Sequence, residues 1–199
     1  HALLTLYSTL GVSMSGQPAT QRINIGAIAS IQRSLLPDAL ARFHHAYHDC
    51  CTHVVPGLSM ELVNQVDAGE LDMAVIIRPP FSLHSDLRWT PLAHEPFRLI
   101  VPPNINGDQW RELLSNQPFI RYDRASFGGR QVERFLRDNH CNVREVCEVD
   151  ELEAIIKLVA KEVGVALVPE AIAHSRWPTG VRAIDLGERT FHRDIGLIQ

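Results

Sequence analysis

The feature that most restricts the fold is a run of apolar residues at 71–77, Leu-Asp-Met-Ala-Val-Ile-Ile, in which only Asp72 is charged. A strand that is apolar on both faces is typical of a parallel sheet covered by helices on both sides. Residues 164–168, Gly-Val-Ala-Leu-Val, have the same character. Because parallel strands need crossover connections, the segments between such strands should contain helices.

The first half of the chain shows the order strand, helix, strand, helix, strand. Residues 23–30 predict a buried strand that turns tightly into a helix, with Ser30 as the N-cap. An apolar stripe at helical spacing follows, and then a short strand at 54–55. A second helix is expected to end at Gly69, before the strand at 71–77.

The second half repeats this alternation. Strands are predicted at 97–101, 119–122, 143–149 and 164–168, and helices at 109–114, 131–139 and 151–161, with a loop at 123–129. The last segments, 184–186 and 195–198, are too short for a further domain and are expected to rejoin the first block. The sequence therefore predicts an α/β architecture with mostly parallel sheets. Its two blocks would be joined near 99–101 and near 165–169, which leaves a cleft with a hinge.

Composition narrows the class of protein. A chain of 199 residues, 45% hydrophobic and 21% charged, can bury a sizeable core in one domain or two small ones. Its net charge of −4 argues against a broad basic face that grips a polyanion. If DNA is bound, another part of the protein should contact it. No apolar run approaches the ~18 residues needed to span a bilayer, so a soluble, cytoplasmic protein is expected.

Histidines and cysteines cluster at the end of the first long helix. His44 and His48 are four residues apart and share a helical face, an arrangement found in metal sites, and Cys50, Cys51 and His53 follow. A tetrahedral site usually needs four converging ligands with a fixed turn between pairs, whereas this spacing is crowded and irregular. We expect no metal and no other cofactor, and we interpret the segment as a solvated or partner-facing helix end. Without a CxxC pair, reduced thiols are expected.

The motifs of several enzyme classes are absent from the sequence. It contains no G-x-S-x-G elbow, no Walker loop, no H-E-x-x-H and no cysteine with an evident base. Asp150, Glu151 and Glu153 form an acidic cluster at a predicted helix start, where carboxylates favour the helix dipole without any chemical role. Catalysis is therefore not expected.

Several short motifs resemble, in their order and spacing, the effector-binding domain of LysR-type transcriptional regulators. They are Ile-Asn-Ile-Gly at 23–26, Leu-Leu-Pro at 35–37, Gly-Glu-Leu-Asp-Met-Ala at 69–74, Leu-Val-Ala at 158–160 and Gly-Val-Ala-Leu-Val-Pro at 164–169. The resemblance extends from about residue 23 to residue 199. Each motif alone is weak, and their combination is specific.

The resemblance implies a type II periplasmic-binding-protein-like fold, with two Rossmann-like subdomains and a small, anionic effector bound between them. Subdomain I would comprise residues 23–98 and 169–199, and subdomain II residues 99–168. Residues 1–22 would be the remnant of a linker helix, followed by a linker. In the full-length protein, DNA would be contacted only by an N-terminal winged helix-turn-helix that this sequence lacks. The resemblance also implies a homodimer or homotetramer and no membrane partner, with four subunit-interface residues on the first long helix: Leu36, Leu40, Phe43 and Tyr47.

The family's effector contacts, carried over to this sequence, are Ala29, Ser30, Gly57, Ser59, Ile77, Arg78, Phe127, Gly128, Asp150, Leu152 and Pro169. Ser30 and Ser59 lie at strand-to-helix turns, where hydroxyls and N–H groups suit an organic acid. Arg78 could clamp a carboxylate. Asp150 would disfavour an anion unless it is paired.

Each of these assignments has a simpler alternative. Ser30 could only cap its own helix, Arg78 could only solvate a loop end, and Phe127 could only pack its loop. For the whole chain, three hypotheses follow: a sensor domain that biases a switch, a solute-binding protein that serves a transporter, and an enzyme on the same scaffold.

Overall fold

The computed structural model describes residues 22–171 and 177–199, and the chain divides into two compact units. Among the described residues, unit 1 comprises those up to His94 together with Asp194–Gln199, and unit 2 comprises those from Glu95 to Arg193. The chain therefore leaves unit 1 after His94 and returns to it at Asp194. Residues 1–21, the main part of the predicted linker remnant, lie outside the described residues.

Unit 1 is built around parallel pairing of its first three strands. Its elements are β1 (Arg22–Ala27), α1 (Ala29–Gln32), α2 (Leu35–Ala46), β2 (Cys51–Pro56), α3 (Ser59–Asp67) and β3 (Met73–Ile77). β1 pairs in parallel with β2 on one side and with β3 on the other. The last strand, β9 (His192–Ile198), then pairs antiparallel with β3. All five residues of β3 are buried, which confirms the strand predicted from the apolar run.

Close packing in unit 1 depends on Gly26 in β1. A Cβ atom at this position would lie 2.8 Å from Leu62 Cδ2 of α3 and 2.9 Å from Ala74 Cβ of β3. Asp72 fixes the start of β3, because its carboxylate accepts a hydrogen bond from the Asn24 N–H at 2.7 Å and its own N–H donates to the Asn24 carbonyl at 3.0 Å. The glycine and the aspartate therefore bring β1, α3 and β3 together.

Unit 2 has its own sheets and core. Its elements are β4 (Trp89–Val101, which begins in unit 1), α4 (Trp110–Asn116), β5 (Pro118–Tyr122), α5 (Phe127–Asp138), β6 (Arg144–Val149), α6 (Leu152–Ala160), β7 (Ala166–Pro169), β8 (Arg182–Ile184) and a short 3-10 helix (Gly187–Arg189). β5 and β6 pair in parallel, whereas β7 and β8 both pair antiparallel with β4. Each unit thus contains antiparallel strands as well as the parallel ones that the sequence predicted.

The units differ from the expected subdomains in residues 95–98, 169–171 and 177–193, which the sequence predicts in subdomain I and which belong to unit 2. β8 is the reason, since Ile184 pairs with Leu99 of β4 and does not rejoin the first block. Arg98 reinforces this arrangement by hydrogen bonding to Glu170 at 2.9 Å and by an ion pair with Asp185. Of the two final segments, only 195–198 returns to unit 1, where it pairs with β3.

A buried ion pair lies where unit 2 begins and ends. Arg193 Nε donates to Glu95 Oε2 at 2.6 Å, and the two side chains are 0% and 4% exposed. The neighbouring residues, His94 and Asp194, contact each other through Nδ1 and Oδ1 at 2.6 Å within unit 1. In each unit, a polar side-chain contact therefore links β4 to β9.

The four cysteines lie within the described ranges, and none forms a disulfide. Within residues 22–171 and 177–199, the helices are too short or too polar to cross a bilayer.

An ion-pair network fixes β5 and β6 to the segment that leads into α5. Buried Arg121 donates from Nε to Glu145 Oε1 at 3.1 Å, and exposed Arg124 donates to both Glu145 oxygens at 2.7 and 2.9 Å. Arg124 also reaches Glu148 at 2.5 Å. The hydrogen bond from Arg121 is the largest cause of the lowered pKa of the Glu145 carboxyl; burial opposes it, and the hydrogen bond from Arg124 adds to it.

This network predicts a loss of stability in acid. Because the folded state lowers the pKa of Glu145, its contribution is complete above the ordinary Glu pKa of about 4.3 and is lost as the pH falls through the lower, folded-state pKa. We expect Glu145→Gln to reduce the free energy of unfolding at pH 7, and this difference from the wild type to shrink toward pH 3. Urea unfolding at both pH values measures it. Glu112→Gln, an exposed change on α4, is the control, and a pH-independent difference for Glu145→Gln would contradict the prediction.

A second prediction concerns Gly164, which precedes β7. A Cβ atom here would lie 2.4 Å from the Pro118 carbonyl oxygen, a backbone atom that also accepts a hydrogen bond from the Val165 N–H at 2.8 Å. We expect Gly164→Ala to lower the free energy of unfolding by about 1–3 kcal/mol, because the backbone must shift. Val163→Ala changes the exposed neighbour and should stay within about 0.5 kcal/mol of the wild type. If urea unfolding found the two variants equally stable, the expectation that position 164 has no room for a side chain would be refuted.

Candidate functional site

The first candidate corner lies where β1 runs into α1. The extended backbone of Ile28 makes it the N-cap of α1, which corrects the prediction that Ser30 is the N-cap. Ala29 begins the helix and is exposed, and half-buried Ser30 lies inside the first turn. The Ser30 carbonyl accepts a hydrogen bond from the Ser34 hydroxyl at 2.7 Å. Ser30 thus lies at the carboxyl end of β1, as expected, but it does not cap the helix.

The second corner lies where β2 runs into α3, and a hydrogen bond connects it to the end of β3. Ser59 is 4% exposed, and its hydroxyl oxygen accepts a hydrogen bond from the Ile77 N–H at 3.1 Å. Leu58 is the N-cap, and the Glu61 carboxylate accepts from its N–H at 3.1 Å. Gly57, just before the cap, lies close to the Leu62 side chain. The structure therefore brings Ser59 and Ile77 together, and a hydroxyl that accepts in this way keeps its own proton for a second partner.

Arg78 follows β3 and has an exposed side chain. Its N–H donates to the Asp194 carbonyl at 2.8 Å, and its guanidinium carbon lies 5.8 Å from the centre of the Trp89 ring. Together with Trp89 it lines a depression of about 540 Å³ that is formed within unit 1. None of the other expected effector contacts is among the described residues that line this depression.

In unit 2, Phe127 and Gly128 lie in a helix and not in the predicted loop. α5 begins at Phe127 because the Ser126 hydroxyl caps it, accepting from the Gly129 N–H at 2.9 Å. The chain is tight here, since a Cβ atom on Gly128 would lie 2.6 Å from the Tyr122 ring. Phe127 is only 7% exposed, and the Arg130 guanidinium carbon lies 5.7 Å from its ring centre.

The remaining expected contacts lie on two elements of unit 2. Asp150 is exposed and precedes Glu151, the N-cap of α6, whose carboxylate accepts from the Ala154 N–H at 3.1 Å. Leu152 begins α6 and is 9% exposed. Pro169 ends β7 and pairs with Phe97 of β4. The start of α6 therefore carries carboxylates, whereas the corners of unit 1 carry hydroxyl and amide groups.

The four residues expected at a subunit interface divide into two pairs. Leu36 and Phe43 are 2% and 0% exposed within the single chain, so they belong to the core of unit 1. Leu40 and Tyr47 are half-buried, and the Tyr47 ring centre lies 4.9 Å from that of Phe43. Of these four, Leu40 on α2 and Tyr47, the C-cap of that helix, are the two that keep an apolar surface that a partner could cover.

The histidines of α2 make contacts of their own. His44 Nε2 lies 3.0 Å from Thr52 Oγ1, and His45 Nδ1 lies 2.5 Å from the Ala41 carbonyl oxygen. Across residues 22–171 and 177–199, no three His, Cys, Asp or Glu side chains are grouped so that they could hold a metal ion.

Two features of the candidate sites were missed in the sequence. One is the Ser59–Ile77 hydrogen bond, which joins residues 18 positions apart. The other is the depression beside Arg78, for which the signal was present: two arginines, two prolines, Phe81 and Trp89 all lie within 78–89.

Comparisons with known proteins agree in assigning the chain to one family. The family model described as the LysR substrate binding domain matches residues 16–199. The HTH-type transcriptional regulator TtuA of Agrobacterium vitis is 31% identical over 175 residues, which are 85% of this chain and 57% of TtuA. The chain spans 58% of the Caulobacter vibrioides regulator IlvR and 50% of a Bacillus cereus CzcR, so it corresponds to about half the length of these relatives.

Solved structures show the same fold. The regulatory domain of Synechocystis CcmR in complex with 2-PG matches with a TM-score of 0.77 at 17% identity, over 89% of this chain and 86% of that one. The effector-binding domain of QuiR in complex with shikimate matches with a TM-score of 0.74 at 16% identity, over 90% and 87% of the two chains. The chain therefore belongs to the LysR substrate-binding domain family and has the type II periplasmic-binding-protein-like α/β fold of LysR effector-binding domains.

Proposed function

We propose that this chain is the ligand-sensing domain of a LysR-type transcriptional regulator, and that it binds a small organic anion. The observation that carries this proposal is the family match over residues 16–199. The relatives are named as HTH-type transcriptional regulators, which favours a cytoplasmic sensor over a solute-binding protein or an enzyme. DNA would be contacted by a part of the protein outside this sequence.

The chemistry of unit 1 supports an anionic ligand. Ser30 and Ser59 lie at the carboxyl ends of parallel strands, and ligands of open α/β sheets commonly bind at that edge. The Ser59 hydroxyl is anchored by the Ile77 N–H, so its position is fixed before a ligand arrives. N–H groups in the first turn of α3 also favour a negative charge. A carboxylate fits this combination of hydroxyl and amide donors.

Ligand binding would act by biasing a conformational equilibrium. A ligand can shift such an equilibrium only by its difference in affinity for the two states. In the proposed regulator, this shift would change how a homodimer or homotetramer presents its DNA-binding domains. Leu40 on α2 and Tyr47, the C-cap of that helix, are the residues that we propose for contact with a second copy.

The test is calorimetric titration of the chain with a panel of small carboxylates, beginning with shikimate. For a carboxylate that binds, we expect Ser30→Ala to weaken binding by roughly 1–3 kcal/mol, because a hydrogen bond to a charged group is lost. Ser115→Ala on α4 removes an exposed hydroxyl of unit 2 and is the matched control. Unchanged affinity in Ser30→Ala would exclude Ser30 from the binding site. A panel in which no acid binds would count against an anionic effector.

A further inference from the structure

Two adjacent cysteines, Cys50 and Cys51, lie between α2 and β2 and have no part in the proposed function. Neither thiol is in a disulfide. Cys51 is the first residue of β2 and is exposed, whereas Cys50, just before the strand, is half-buried. The pair lies at the amino end of β2, and Ser59 follows the carboxyl end of the same strand. The two cysteines are therefore separate from the strand-end corners.

The backbone at the pair combines a turn with the end of a strand. The Cys50 N–H donates to the Tyr47 carbonyl at 3.3 Å, which closes a turn over residues 47–50. Among the described strands, β2 pairs with β1 alone, in a register that starts at Arg22 and Cys51. Cys50 precedes that register, so the alternation of faces along a strand does not fix the direction of its thiol relative to Cys51.

The strand face that carries Cys51 is open to solvent. Cys51 and His53 are two positions apart, so they lie on the same face of β2, and both are exposed. Arg22, which is opposite Cys51 in β1, is also exposed. Thr52 lies on the other face and is half-buried, with its hydroxyl oxygen 3.0 Å from His44 Nε2 of α2. A reagent can therefore reach Cys51 without displacing the core of unit 1.

Adjacent cysteines are poorly placed for a direct disulfide. Consecutive Cα atoms are about 3.8 Å apart, whereas disulfides usually join Cα atoms that are about 4.4–6.8 Å apart. A single large atom between the two sulfurs lengthens the bridge and relieves this restriction. The pair should therefore persist as a dithiol that can close a ring around one thiophilic atom.

The surroundings favour a ligand atom that needs two sulfurs and no third side chain. Across the described ranges, 22–171 and 177–199, no three His, Cys, Asp or Glu side chains are grouped so that they could hold a metal ion. A structural zinc ion, which usually takes four protein ligands, therefore lacks a complete site at Cys50 and Cys51. Trivalent arsenic is soft and prefers sulfur, and in an organoarsenical it already carries one carbon substituent. Two thiolates then complete its three-coordinate, pyramidal shell.

We propose that Cys50 and Cys51 form a binding site for trivalent organoarsenicals. A compound R–As(OH)₂ condenses with both thiols: two As–O bonds break, two As–S bonds form, and each thiol proton leaves with a hydroxyl group as water. Arsenic stays trivalent, so no oxidant or reductant is needed. The second thiol belongs to the same chain and reacts at a high effective concentration, so the ring is more stable than an adduct of a single thiol.

The test uses phenylarsine oxide and the reduced chain. We expect intact-mass spectrometry to show one phenylarsenic group per chain, which stays bound in excess 2-mercaptoethanol and is released by 2,3-dimercaptopropanol. Peptide mapping of the wild type should place the group on Cys50 and Cys51. Cys50→Ser and Cys51→Ser should each weaken binding by about a hundredfold or more, because a single thiol cannot close the ring.

The other two cysteines provide the matched control. The double variant Cys141→Ser, Cys147→Ser should bind the phenylarsenic group as tightly as the wild type does. Binding that persists unchanged in Cys50→Ser or Cys51→Ser would overturn the proposal, and so would an adduct that 2-mercaptoethanol removes from the wild type. A group that maps to Cys141 or Cys147, or that joins two chains, would also overturn it. Because the mapping uses the wild-type chain, it does not depend on the folding of any variant.

Discussion

Parallel pairing of β1 with β2 on one side and with β3 on the other determines where unit 1 can present polar groups. Because the three strands run in the same direction, their carboxyl ends meet at one edge. The pairing requires β1 to pass close to α3, and Gly26 makes that approach possible. Ser59 then completes the edge by bonding to the last residue of β3. The candidate contacts of unit 1 thus follow from one arrangement of strands.

Much of this arrangement could be predicted because it is encoded locally. The apolar run at 71–77 has no polar face, so it is most stable as a strand that is covered on both sides. β3 is accordingly buried at every position. The end of α3 near Gly69 was equally predictable, since that glycine has a φ of +72°. The order of strands and helices, together with the family resemblance, was sufficient for the fold class.

The features that could not be predicted depend on contacts distant in sequence. The sequence around Ile184 does not indicate whether this segment pairs with the first or the second block. The structure shows that Ile184 pairs with Leu99 of β4. The apolar stripe on α2 contains both core and surface residues, and Phe43 and Leu40 cannot be told apart by spacing alone. For the candidate site, the sequence indicated Ser59 and Arg78 but not their surroundings, namely the Ile77 N–H and the Trp89 ring.

The discontinuity of unit 1 has a consequence for biosynthesis. Asp194–Gln199 belongs to unit 1 but is translated after the whole of unit 2, Glu95–Arg193. Until those residues leave the ribosome, β3 lacks its antiparallel neighbour, and its edge is open to other chains. Unit 2 is contiguous in sequence and can fold while synthesis continues. The central sheet of unit 1 is therefore completed last, although its first strands are among the earliest parts of the described chain to be made.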